Sequence, residues 1–195
     1  QGLFDGTKTL FIHTNSPKEI ITAVRKAQQF GVKRITLLAG DAALMVADFL
    51  KENNIPVILP ATHNLPPRVD DDVDLPYKLP HLLTQAGIRV SLSEDGSLHG
   101  SRNLGFFAGT AVAYGMDKEE ALKTITSNTA KALGVDSRVG TLETGKDATL
   151  FVSEGDALDY RTNVLLHAFI RGKKITLPGN QQELYERYSK KYGQK

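Results

Sequence analysis

Cysteine and tryptophan are both absent from the 195 residues. Without Cys there is no disulfide framework, no thiolate metal ligand and no cysteine nucleophile. No run of about 18 apolar residues occurs, so no membrane-spanning helix is written into the chain. Charge of one sign is also lacking: 24 basic side chains face 22 acidic ones, for a formal net of +2. A surface built to follow phosphate backbones shows as a basic surplus, so nucleic acid is not expected as a partner. Neither standard Gly-rich phosphate loop is present, nor a Gly-x-Ser-x-Gly nucleophile elbow. The chain begins Gln1-Gly2-Leu3 with no basic-then-apolar leader, and its compartment stays open.

What is present is an ordinary globular composition, 41% hydrophobic and 24% charged, with 17 Gly and 8 Pro. The length suits one domain, or one domain with a small appendage. Short β-branched runs alternate with helical periodicity. Thr9-Leu10-Phe11-Ile12-His13 predicts a strand; Ser16, Pro17 and Glu19 then supply an N-cap, an N1 proline and a capping box. Ile20, Ile21, Val24, Ala27 and Phe30 mark that helix's apolar face and Gly31 its end. Strands are predicted at 34–38, 56–59 and 88–92, and helices at about 41–53, 80–86, 103–114 and 118–133. The last opens on Asp117 and breaks near Ser127-Asn128. Strands alternating with amphipathic helices predict a parallel sheet with right-handed crossovers. After Gly134 the pattern changes to turns, a strand near 148–152, a hairpin around Arg171-Gly172 and a packed amphipathic helix at 181–192. The polar loop from Pro60 to Leu75 is long enough to be functional. Its Asp70-Asp71-Asp72-Val73-Asp74 run lacks EF-hand spacing and reads as a solvated loop.

Two runs carry a resemblance. Thr126-Ser127-Asn128-Thr129-Ala130-Lys131-Ala132-Leu133-Gly134 and Gly140-Thr141-Leu142-Glu143-Thr144-Gly145-Lys146-Asp147-Ala148-Thr149-Leu150 occur in order. They resemble the C-terminal part of the amidohydrolase superfamily, in its imidazolonepropionase-like and prolidase-like branch. Thr149 stands where the family usually has Asp. The resemblance implies an α/β fold: the C-terminal half of a (β/α)8 TIM-like barrel, about four βα units with parallel strands, since a whole barrel needs about 250 residues. A small piece of the family's β domain and a C-terminal helix follow. The expected boundaries are 1–138 for the partial barrel, 139–178 for the β segment and 179–195 for the helix. The family's opening His-x-His has no counterpart, so the chain reads as half of a longer protein.

The resemblance also assigns residues. His13 falls where the family places its strand-five metal ligand, and a histidine at a strand's mouth can hold zinc. Asp95, after the fourth strand, falls at the strand-eight aspartate, metal ligand and general base; its neighbour Glu94 replaces a small residue. Ala39 occupies the strand-six histidine position and cannot bind metal. Asp41 reads as a helix cap. His63, Arg68, His99 and Arg102 are candidate substrate-binding residues, the arginines suited to a carboxylate. The implied cofactor of the full-length protein is a divalent metal, zinc by preference, which this piece alone need not hold. The implied activity of the full-length protein is hydrolysis of a C–N bond in an amide, cyclic amide or dipeptide-like small molecule, with this piece alone expected to be inactive. Two alternatives stand beside it: a catalytically degenerate barrel piece serving as a binding or scaffold domain, and an unrelated doubly wound ligand-binding domain. Open sheet edges predict a homodimer, or association with the missing N-terminal half.

Overall fold

The computed structural model describes residues 1–94, 100–177 and 179–193. Its first layer alternates as expected: α1 (Gly2–Asp5), β1 (Leu10–His13), α2 (Pro17–Gln29), β2 (Ile35–Leu38), α3 (Ala42–Met45), α4 (Ala47–Glu52), β3 (Val57–Leu59), α5 (Leu75–Gln85) and β4 (Val90–Leu92). A short 3-10 turn at Gly100–Asn103 leads into α6 (Leu104–Ala113), α7 (Lys118–Ile125) and α8 (Ser127–Leu133). The four strands form one parallel sheet in the order β1-β2-β3-β4. This is an α/β fold of the kind that makes up part of a TIM barrel. Both outer strands are open edges among the described residues.

Register divides the sheet into two faces. Leu10, Ile12, Ile35, Leu37, Val57, Leu59, Val90 and Leu92 share one face. Except for Leu10 and Ile12 on the edge strand, these are buried, in a core with Ile20 and Val24 of α2, Leu50 of α4 and Leu79 and Leu83 of α5. Burial of this apolar surface is what holds helices to sheet. The other face carries the row His13, Leu38, Ile58, Ser91 across all four strands, with Phe11 43% exposed beside it. At the sheet's lower end α8 reaches this face: Thr36 Oγ1 donates to Ala132 O at 3.3 Å, and Asn128 Nδ2 donates to Val90 O at 3.0 Å on the edge strand.

A second, antiparallel sheet follows, β5 (Leu150–Ser153), β6 (Leu165–Ile170) and β7 (Lys173–Ile175), in that order. The β6–β7 turn places Arg171 at φ 51° and Gly172 at φ 78°, the left-handed pair a tight hairpin needs. The sheet's segment 156–160 seats on α6: Leu158 is buried, and Phe106 and Tyr160 meet edge to face at 6.0 Å.

Four details differ from the sequence expectation. Glu19 does not complete a capping box; no side chain caps α2 at Ser16, and Thr14 Oγ1 donates to Glu19 at 2.5 Å instead. The helix predicted at 41–53 is two pieces, interrupted at Val46. The helix expected to start at Pro80 starts at Leu75, so Pro80 is an interior residue that forgoes one intrahelical hydrogen bond. Finally α9 (Asn180–Tyr192) buries no residue. Its aromatic stripe packs on itself, Tyr188 against Tyr192 at 6.3 Å and the Lys191 ammonium over Tyr192 at 5.3 Å, so the packed helix expected there is a solvent-facing one.

Candidate active site at the strand ends

The C-terminal ends of β1, β2 and β3 open into a cavity of about 300 Å³. Leu59, Pro60, Ala61, Leu65, Leu75 and Leu79 make its apolar wall, and Asn15, Asp41, Thr62 and Asn64 its polar end. The cavity sits where parallel strands converge functional loops.

Asn15, two residues past β1, organises the polar end. Its Oδ1 accepts from the Gly40 amide at 2.9 Å and the Ala42 amide at 3.3 Å, and its Nδ2 donates to Asp41 Oδ1 at 2.9 Å. Asn15 therefore supplies the cap of α3. The sequence predicts that role for Asp41, but Asp41 lies in helical backbone geometry and makes no side-chain cap bond. Relieved of capping, its carboxylate turns to the cavity and accepts from Arg68 Nη2 at 3.3 Å. Arg68 also reaches Asp71 through Nε at 3.2 Å. The guanidinium is 57% exposed while each carboxylate is only 14% exposed, so this bridge fastens the 60–74 loop beside the cavity more by position than by energy.

The rest of the acidic run works locally. Asp72 pairs with Lys78, whose hydrogen bond is the main cause holding the Asp72 carboxyl below its ordinary value. Asp74 accepts from the Tyr114 hydroxyl at 3.4 Å; desolvation first, then the Asp74 charge, pushes that phenol upward.

The predicted residues spread out. His13 ends β1, exposed, on the face that carries Leu38, Ile58 and Ser91. Ala39 is buried just past β2. His63 points away from the cavity to α6: its Nε2 meets Thr110 Oγ1 at 2.6 Å. The Thr110 hydroxyl also donates to Phe106 O at 2.9 Å, so it can accept from His63 Nε2. Beside it Thr62 Oγ1 donates to Phe107 O at 3.2 Å. Arg102 lies in the turn before α6. Asp95 and His99 lie outside the described residues. Among the described residues no three His, Cys, Asp or Glu side chains gather as a metal-holding group.

Asn15, Thr62 and Asn64 were not singled out from the sequence. Asn15 did carry a signal, as a short amide beside His13 at a strand's mouth, but its partners lie 25 to 27 residues away.

Comparison with known proteins fits this architecture. Residues 8–175 match the amidohydrolase family. A 110-residue stretch, 53% of the chain, is 32% identical to imidazolonepropionase of Thermoplasma volcanium and covers 27% of that protein. The crystal structure of an amidohydrolase from Thermotoga maritima superposes with a TM-score of 0.80 at 28% identity, over 91% of this chain and 45% of the other. A prolidase crystallised with N-methylphosphonate-L-proline shares the fold, with a TM-score of 0.66 at 17% identity over 90% of this chain and 47% of its own. The chain thus spans less than half the length of these relatives. A match this long leaves no room for an unrelated doubly wound domain: the chain belongs to the amidohydrolase family.

Proposed function

We propose that this chain is the C-terminal half of a (β/α)8 barrel in a metal-dependent amidohydrolase that hydrolyses C–N bonds of an amide, cyclic amide or dipeptide-like small molecule. The partial barrel would take residues 1–138, the family's β segment 139–178 and the terminal helix 179–195. The observation that carries the reading is His13, exposed at the C-terminal end of a parallel strand, at the mouth where this architecture gathers its chemistry.

Family members typically bind divalent metals. The residues here fit such a group in part. His13 offers an imidazole nitrogen on the open sheet face, and in the same row Ser91 Oγ is buried with no hydrogen-bond partner among the described residues. A buried hydroxyl with unused bonding capacity marks a place where a polar group is expected. Ala39 offers no donor, so His13 and Asp95 need completion from elsewhere. A bound zinc supplies carbonyl polarisation and a water of lowered pKa. Asp95 would hold the metal and accept the proton of the attacking water. Arg68, with Asp41 and Asn15 fixing its surroundings, would orient a substrate carboxylate, and His99 and Arg102 would face the same mouth.

Metal content by mass spectrometry tests this, on protein from zinc-supplemented medium. Stoichiometric zinc that disappears in both His13→Ala and Asp95→Ala is the expected result. Wild-type protein free of metal would instead favour a catalytically degenerate member that binds without hydrolysing, the reading to which Ala39 points.

A further inference from the structure

At the opposite, N-terminal end of the parallel sheet lies a second cleft, of about 250 Å³. Its charged lining is of one sign: Lys33 and Arg34 before β2, Arg89 before β4 and Lys131 in the last turn of α8. No Asp or Glu lines it; the remaining polar groups are neutral, among them Gln28, Asn53 and Asn54. None of the four cations lies within 4.0 Å of a carboxylate among the described residues. Beyond that distance the Glu143 carboxylate does feel Lys131, but no carboxylate lines the cleft itself, while the chain as a whole is nearly balanced at +2.

Three separate segments converge to make this arrangement, and like charges brought together repel. The arrangement is also built. Arg34 is half-buried, and its Nη2 donates to Lys131 O at 3.2 Å. That bond ties the guanidinium to the α8 terminus, against Gly134, and holds Arg34 in the lining of the cleft. Gln28 Nε2 donates to Asn53 Oδ1 at 3.1 Å, fixing the neutral wall. A cleft of this volume admits a small ligand, not a duplex or a folded partner.

We propose that this cleft binds a small multivalent anion of the phosphate class, inorganic pyrophosphate or the phosphates of a small ester. Planar guanidinium groups from Arg34 and Arg89 suit phosphate oxygens in paired hydrogen bonds, and Lys33 and Lys131 add point charges. The site is separate from the cavity at the other strand ends and does not depend on any reaction there.

The test titrates the full chain with pyrophosphate, with ADP and with sulfate at constant ionic strength, following amide chemical shifts and heat. Pyrophosphate should saturate at one per chain and bind more tightly than sulfate. Equal affinity for ADP would assign recognition to the phosphates alone; tighter binding of ADP would assign it to an ester. Arg89→Gln and Lys131→Gln, both exposed positions, should each weaken pyrophosphate by about tenfold. Lys123→Gln, on the exposed face of α7, should leave it unchanged. Absence of saturation, wild-type affinity in both cleft variants, or equal weakening by Lys123→Gln would overturn the proposal.

Discussion

Asn15 shows how one side chain can serve two loops. It caps a helix 27 residues downstream and holds the Asp41 carboxylate toward the cavity. Replacing it by Ala should cost about 1 kcal/mol, the usual worth of a helix cap, read as a lowered urea midpoint; Asp41→Asn, which keeps the shape and caps nothing, should cost less. A second residue-scale prediction concerns pH. The Lys118 ammonium lies 2.8 Å from Asp156. Its hydrogen bond is the main cause that holds the Asp156 carboxyl below its ordinary value, and the Lys118 ammonium is raised in turn. A depressed carboxyl contributes stability above its unfolded value near 3.8 and loses it as pH falls through the folded value. The denaturation midpoints of wild type and Lys118→Met should therefore differ slightly at pH 7 and converge in acid. At this scale the sequence was least legible. His13 could be placed at a strand end from its neighbours, but Asp41 could not be told from a cap, because the residue that displaces it comes from another loop.

Elements were more legible, because periodicity and punctuation are local. Asp117 caps α7 through the Glu120 amide at 3.0 Å, Gly134 closes α8, and the break between these helices falls at Thr126, one residue from its expected place. Elements were misjudged where tertiary context decided. Pro80 looked like a helix start and is an interior residue; α9 looked packed and is not. Gly105 and Gly109, on α6, drew no comment from periodicity. A Cβ on Gly105 would meet Ala157 O at 2.9 Å, and one on Gly109 would overlap Leu158 O outright. These glycines let helix backbone and segment 157–158 touch. Gly109→Ala, a change that would stabilise an isolated helix, should instead destabilise this protein by about 1–3 kcal/mol through overpacking, measurable by thermal or urea denaturation.

The whole molecule has a parallel sheet finished on one face and unfinished on the other. Phe11, Leu38 and Ile58 remain partly exposed on the face that bears His13, and β1 and β4 are open edges among the described residues. Such edges and apolar surface favour association. Sedimentation velocity on this chain at micromolar concentration should show a dimer or larger species; a clean monomer would count against it. The alternation of strands and helices made the parallel order legible, and the two family-like runs made its ancestry so. The remaining ligands of any metal could not be read, because among the described residues His13 is the one His, Asp or Glu in the row His13, Leu38, Ile58, Ser91.

The glycine seat on α6 has a mechanical meaning. Where side chains interdigitate, two bodies can slide a little and find new rotamers. Where backbone rests directly on backbone there is no such cushion, and displacement breaks the fit at once. The seam between α6 and segment 156–160, flanked by the Phe106–Tyr160 contact and by the bridge from Lys118 of α7 to Asp156, is therefore stiff but brittle. Under load, the small sheet and the parallel sheet should part in one abrupt event, without creeping beforehand.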